Sequence, residues 1–149
     1  MNDSLTVRKI EARDVDVILA IQAACPEIAQ WTKRDYDRVA AGEMPGWVAE
    51  EPKETMGFLV ARLAGSEIEI LNLAVRPEAR RRGIGTSLVE AALAWGRESR
   101  AESAILEVRE SNLAALRFYE RHNFQVTGRR PRYYASPIED ALLLTAPLP

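Results

Sequence analysis

Hydrophobic positions fall into short runs between charged or Gly/Pro-containing breaks, and the spacing inside each run predicts its element. Leu5, Val7 and Ile10 predict a first strand, ended by Glu11-Ala12-Arg13-Asp14. Asp14 stands where an N-cap is expected for a helix carrying Val15, Ile18, Leu19, Ile21 and Gln22 up to Cys25, where Pro26 stops it. Thr32 is placed to cap a second helix, Lys33 to Ala41, closed by Gly42. Gly46 to Glu50 and Met56 to Leu63 read as strands around the turn Glu51-Pro52-Lys53-Glu54, and Leu63-Ala64-Gly65-Ser66 reads as a second hairpin turn. Alternation at Glu67-Ile68-Glu69-Ile70 puts the acids on one face of the next strand and the isoleucines on the other. Its apolar continuation, Leu71, Leu73, Ala74 and Val75, ends at Arg76-Pro77.

Leu88, Ala91, Ala92 and Trp95 recur at helical spacing and predict a helix from Gly85 or Thr86 to about Ser99. Ala104 to Val108 is a second buried-looking strand, interrupted by the single acid Glu107. Ser111-Asn112 starts a helix through His122, with Asn123 as a left-handed stop. Phe124 to Val126 and Tyr133-Tyr134 belong to one strand region, and Ala141 to Thr145 makes the last strand. The order βααβββαβαββ predicts an α/β fold around a mixed sheet flanked by helices, with a ligand loop after a central strand.

Composition narrows the class. A chain of 149 residues is expected to form one domain, 1–149, with a core that needs no staples. A hydrophobic share of 47% and a charged share of 28% are those of an ordinary soluble protein. The net charge of -2 gives no global attraction to nucleic acid, although arginines cluster at 76–82 and 129–132 and leave local anion sites open. With Cys25 as the only cysteine, no disulfide or cysteine-based metal site forms, which fits a reducing cytoplasm. On an apolar helix face Cys25 is expected to be a small core residue. No signal-peptide core or membrane-length apolar run occurs, so no membrane partner is expected.

The chemistry concentrates in Leu71 to Ser87, LNLAVRPEARRRGIGTS. A strand that passes through a basic, glycine-containing loop into a helix N-terminus suits an anion, because the first helical N–H groups lack partners and the dipole is positive there. A Walker A loop fails for want of a lysine after either glycine. A dinucleotide fingerprint fails because its third glycine position holds Leu88. What remains is R-x-x-G-x-G, Arg80-Arg81-Arg82-Gly83-Ile84-Gly85, against the plainer alternative of a turn with solvated arginines. Glu107, a lone carboxylate in an apolar strand, must be paired, hydrogen-bonded or held at a raised pKa, and is a natural general base; the alternative is a strand-end acid that pairs with Arg109 or faces solvent. Tyr119 reads as a core tyrosine and Asn112 as an N-cap. His122, the only histidine, lies at a helix C-terminus and is assigned no catalytic role, and with one histidine no His-based metal site is expected.

The loop resembles that of the GNAT superfamily of acyl-CoA-dependent N-acetyltransferases, and from about Ile70 to Leu144 the chain is similar to its ribosomal-protein-alanine N-acetyltransferase branch. The matching segments are LNLAV, RRRGIG, LEVRESNLAALRFYERHNF and RRPRYYASPIEDALLL; the first 65 residues match only weakly. The resemblance implies a GNAT fold and acetyl-CoA as co-substrate, with no metal. It places main-chain coenzyme contacts on Leu73, Ala74 and Val75, loop contacts on Arg80, Arg81, Arg82, Gly83, Ile84, Gly85 and Thr86, and a further contact on Asn112. It makes Glu107 the proton acceptor and Tyr119, in the FYE segment, the proton donor to the departing thiolate. The first two helices and their loop then wall the acceptor groove, making Trp31 and Tyr36 candidate acceptor contacts, with aromatic core packing as the alternative. Asn123 replaces a usual glycine, and the connection from Tyr134 to Glu139 is shorter than in some relatives.

The implied function is direct acetyl transfer to a protein or peptide N-terminal α-amine, a ribosomal protein among the candidate acceptors, by a cytoplasmic monomer or weak homodimer. A GNAT enzyme acting on a small amine (a polyamine, amino acid or antibiotic) is the nearer rival. An acidic pocket drawn from Glu67, Glu69, Glu139 and Asp140 would favour it. A non-catalytic acyl-CoA-binding module is the more distant one.

Overall fold

The computed structural model describes residues 4–149. The elements are β1 (Thr6–Lys9), α1 (Val15–Ala23), α2 (Lys33–Ala40), β2 (Gly46–Glu51), β3 (Glu54–Ala64), β4 (Glu67–Val75), α3 (Ile84–Glu98), β5 (Ser103–Arg109), α4 (Leu113–Arg121), β6 (Gln125–Ala135) and β7 (Ile138–Pro147), with 3-10 turns at Ala12–Asp14 and Pro77–Ala79. This is the expected order. The hydrogen-bonded strand order is β1-β2-β3-β4-β5-β7-β6. β4 and β5 pair in parallel, whereas β1–β2, β2–β3, β5–β7 and β6–β7 are antiparallel, so the sheet is mixed.

The chain divides into two compact units. One holds the residues up to Arg62 together with Ile70–Trp95. Its core gathers Val15, Ile18 and Ile21 of α1, Tyr36 and Val39 of α2, Val48 of β2, and Phe58 and Val60 of β3. α2 begins in a reciprocal capping box: the Thr32 side chain accepts from the Asp35 N–H, and the Asp35 carboxylate accepts from the Thr32 N–H. It ends one residue earlier than expected, at Ala40, with Gly42 at φ 90. Asp14 does occupy the N-cap position of α1, but its side chain makes no cap bond there. It accepts instead from the Glu11 N–H at 2.7 Å and from both terminal nitrogens of Arg8 at 2.8 Å. Arg8 also donates from Nε to Glu50 at 2.8 Å, tying β1 to β2 and to the turn before α1.

The other unit holds Leu63–Glu69 and Gly96–Pro149. Glu67, Ile68 and Glu69 pair in parallel with Ser103, Ala104 and Ile105. β7 lies between β5 and β6, with Glu107 opposite Leu143 and Arg109 opposite Ala141. Between Arg130 and Tyr134 the β6–β7 register shifts, and Arg132 within that segment takes φ 55. Leu106, Phe124, Ala141 and Leu144 are buried. Asn123 closes α4 at φ 67, the left-handed stop that asparagine tolerates.

The Arg8–Asp14 pair makes the acid limb of stability testable. Burial alone would push the Asp14 carboxyl up, but the hydrogen bonds from Arg8 and the Glu11 N–H outweigh it and hold it below its usual range. A depressed carboxyl binds its proton more weakly folded than unfolded. Its contribution is therefore complete above the unfolded value of about 3.9 and drains away as pH falls through the lower folded value. Asp14→Asn should cost about 2 kcal/mol at neutral pH, because it leaves Arg8 short of a partner, and should shrink the difference from wild type towards pH 2. Urea titrations at several pH values check this, and a gap that stays constant with pH would remove Asp14 as the titrating group.

Candidate active site

β4 alternates strictly. Ile68, Ile70, Asn72 and Ala74 are buried, while Leu71, Leu73 and Val75 are half-buried on the opposite face. Its end lies against β3 at a glycine: a Cβ on Gly57 would sit 2.6 Å from the Ala74 carbonyl and 3.3 Å from both Leu88 Cδ1 and Val75 Cα. Only a residue without a side chain lets the two backbones approach so closely beside the start of the loop. Arg76 then pins the chain, its N–H donating to Met56 O at 2.8 Å and its Nε to Thr55 O at 2.7 Å.

After the Pro77–Ala79 turn, Arg80 is extended, Arg81 takes φ 66, Gly83 takes φ 80, and α3 begins at Ile84. The loop therefore has two left-handed residues around Arg82, a path that costs about 1–2 kcal/mol at a non-glycine such as Arg81. Buried Ile84 and Leu88 anchor the helix, Gly85 and Thr86 lie in its first turn, and the Ser87 N–H bonds to Gly83 O at 3.0 Å. Arg80 is exposed but anchored. It donates to Glu27 at 2.8 Å, to the Val75 carbonyl at 3.3 Å and to Cys25 Sγ at 3.3 Å. Arg82 pairs with Glu51. Arg81 is exposed.

Cys25 is a small core residue, as expected, but it lies beyond the end of α1 rather than on its face, and its fully buried thiol donates to Val75 O at 3.5 Å. The connection between α1 and α2 is bolted by a polar network in which Gln22 and Asn72 take part, residues for which the sequence predicts no such role. Gln22 Nε2 donates to Trp31 O at 2.8 Å, and Gln22 Oε1 accepts from the Trp31 N–H at 2.9 Å and from the Tyr36 hydroxyl. Asn72 Nδ2 donates to Tyr36 Oη at 3.1 Å and to Ala29 O at 3.0 Å. Tyr36 is fully buried, so it packs in the core rather than offering a surface to an acceptor, and burial pushes its phenol well above the usual range. Trp31 is half-buried and stacks on it at 5.5 Å.

The second unit carries Glu107, Asn112 and Tyr119. Glu107 Oε2 is buried, and its counter-ion is Arg130, Nε at 2.8 Å, not Arg109. That contact is an ion pair without a hydrogen bond, since no N–H is aimed at the oxygen. Arg109 is committed elsewhere: to Glu139 at 3.2 Å, to the carbonyls of Ser136 and Pro137, and over the face of Tyr134 at 4.2 Å. Burial first, and then the Glu107 carboxylate, raise the Tyr134 phenol. Asn112 caps α4 as expected, Oδ1 accepting from the Ala115 N–H at 3.2 Å. Tyr119 is buried beside Phe118 and Phe124, and loss of solvent pushes its phenol well above the usual range. Among the described residues its hydroxyl has no hydrogen-bond partner. Glu139 accepts from the Ser111 N–H at 2.5 Å, and hydrogen bonding from the Ser111 side chain first, then from its N–H and from Arg109, holds the carboxyl below its usual range against desolvation. His122 stands at the C-cap of α4 against Phe118.

A search for relatives matches residues 15–124 to the Acetyltransferase (GNAT) family model. The match starts well before Ile70, where the motifs that carry the resemblance begin. A candidate ribosomal protein bS18-alanine N-acetyltransferase of Bacillus subtilis is 29% identical over 146 residues, covering 97% of this chain and 96% of that protein. An N-alpha-acetyltransferase of Sulfolobus acidocaldarius is 31% identical, covering 95% and 92%. Among solved structures, Ard1 from Thermoplasma volcanium superposes with a TM-score of 0.86 at 27% identity, covering 98% and 99%.

The Gly57 approach yields a direct test. Gly57→Ala must part β3 from β4, because the atom nearest the new methyl is a backbone carbonyl that cannot swing aside. A loss of about 1–3 kcal/mol is expected in thermal or urea unfolding. An unchanged midpoint would mean that the strands separate freely and that the glycine is dispensable.

Proposed function

The chain belongs to the GNAT acetyltransferase family, and on that premise we propose that it moves an acetyl group from acetyl-CoA directly to the α-amine of a protein or peptide N-terminus in the cytoplasm. The observation that carries this reading is the match, over nearly the whole of each chain, to proteins named as an N-alpha-acetyltransferase and a ribosomal protein bS18-alanine N-acetyltransferase. A ribosomal protein is one acceptor to try, following the Bacillus subtilis relative.

The coenzyme pyrophosphate is assigned to the N–H groups and helix start at Arg81 to Thr86, where left-handed backbone turns successive amides towards one anion. Arg80, tied to Glu27 and Val75, supports that loop from behind. Main-chain N–H near Leu73 or Val75 polarises the thioester carbonyl, a donor worth roughly 3 kcal/mol in such reactions. Asn112 Nδ2, left over from the cap, is free to donate to the coenzyme.

The amine nitrogen attacks the thioester carbon, Glu107 takes the proton that nitrogen sheds, directly or through a water, the C–S bond breaks, and Tyr119 donates to the departing thiolate. An α-ammonium, with a pKa of about 8 against about 10.4 for lysine, gives up its proton far more readily near pH 7, so a base contribution of about 10²–10⁴-fold is enough. The raised pKa of Tyr119 keeps it a phenol, the form able to donate. No acyl-enzyme is needed, and Cys25, buried with its thiol raised above the usual range chiefly by desolvation, is a poor nucleophile.

The small-amine alternative draws less support, because its acids are engaged. Glu139 is held by Ser111 and Arg109, Asp140 by Arg129 and the Arg132 N–H, and Glu67 accepts from Ser103.

Free-thiol release should appear with peptides starting Ala-Arg, Ser-Ala or Met-Leu and not with N-blocked lysine peptides, polyamines or free amino acids. Turnover of polyamines alone would move the acceptor to small amines. Binding of acetyl-CoA without turnover would leave a regulatory module.

Glu107→Gln should lower kcat about 10²–10⁴-fold with the coenzyme KM unchanged. Tyr119→Phe should slow transfer about 10²-fold at unchanged melting temperature, since its hydroxyl bonds to nothing in the described protein. A wild-type rate in either variant removes that residue's role.

A further inference from the structure

Glu107 has an unusual counter-ion. The carboxylate is 16% exposed while Arg130, which compensates it, is 60% exposed. Three arginines cluster on this part of the second unit, and two are locked. Arg109 is held by Glu139, two carbonyls and the Tyr134 ring, and Arg129 by Glu110 and Asp140. Arg130 alone of the three has only an ion pair without a hydrogen bond at Glu107 and a looser position over the Tyr133 ring at 5.4 Å.

A base must come within about 2.6–3.2 Å of the nitrogen it deprotonates, directly or through one water. Arg130 Nε, at 2.8 Å, already stands at that distance. We propose that the Arg130 guanidinium occupies the acceptor's ammonium subsite on Glu107, and that a primary alkylammonium acceptor binds by exchanging with it, cation for cation. The inference rests on Glu107 being the base.

The physical case has three parts. Two cations cannot share one buried oxygen without repulsion, so the guanidinium must leave. Leaving is cheap for Arg130, because its side chain is mostly in solvent, makes no hydrogen bond to the carboxylate and keeps the Tyr133 face to rest on. Exchange also never strips the buried carboxylate of its positive partner, the step that would be costly. The groups facing Glu107 are Arg130 and Tyr134 from β6 and Arg109 along β5. Of these only Arg130 is both cationic and loosely held. The subsite therefore selects for charge, and neutral aryl amines, which cannot replace a guanidinium, are poor acceptors at equal nucleophilicity.

The test is steady-state kinetics of the full chain with a peptide acceptor. Arg130→Met should lower the acceptor KM about two- to fivefold, the range an exposed ion pair spans, and leave the acetyl-CoA KM unchanged. Arg130→Lys, which restores the charge, should return the acceptor KM towards wild type. Ethylguanidinium should inhibit competitively against the acceptor and not against acetyl-CoA, more strongly in Arg130→Met than in wild type. An acceptor KM that is unchanged or raised in Arg130→Met, at an unchanged acetyl-CoA KM, overturns the proposal. Should Arg130→Met not fold, the wild-type inhibition pattern decides, and absent or non-competitive inhibition overturns it equally. Glu107→Gln separates the two failures: full turnover there sinks the base itself, whereas slow turnover with a null Arg130 result sinks only the exchange.

Discussion

The carbonyl of Val75 is the point on which the loop turns. Two side chains far apart in sequence bond to it, the Cys25 thiol and the Arg80 guanidinium, and Arg80 then reaches on to Glu27. A loop that carries two left-handed residues is not the lowest-energy path for an isolated peptide, so it holds its shape only where its surroundings over-determine it. Gly57 supplies the close strand contact before the turn, Ile84 and Leu88 bury the helix after it, and the Val75 junction fixes the corner between.

The same economy appears in the placement of polar groups. Asn72 and Gln22 are buried, and each uses its amide to join segments that the core alone would leave loosely connected. Apolar packing is non-directional and tolerates small slides, whereas a buried amide with both ends satisfied does not. The α1–α2 connection thus has a defined position because Trp31 and Ala29 are bonded through their backbones, whatever their side chains do.

Element order and type are legible in the sequence, as are the cap at Thr32 and the left-handed stop at Asn123, because those signals are local. What escaped were pairings set by tertiary register. Asp14 was visible as a cap, but Arg8 takes its carboxylate. Arg109 is two positions from Glu107 and looked the natural partner, yet Arg130 reaches Glu107 because β6 returns beside β7 and β7 beside β5. Cys25 was read as the end of a helix, and the chain in fact leaves α1 at Ala23, which carries the thiol under the loop. A signal was present for Asn72: it is the one amide among Ile68, Ile70 and Ala74 on the inward face of β4, a position where a polar side chain must have partners. Gly57 carried a weaker one, a glycine inside an apolar strand.

The lone thiol has a further consequence as an intrinsic reporter. Cys25 is wholly buried and sits where the α1–α2 connection meets the loop, so an alkylating reagent reaches it only when that corner opens. Under fast reclosing, the ratio of its labelling rate to that of a free thiol measures the opening equilibrium of this one region, separately from global unfolding. Any molecule that binds only the closed corner must slow that labelling in proportion to its own occupancy. The protein therefore contains its own single-site gauge of how firmly the loop is held, with no label introduced.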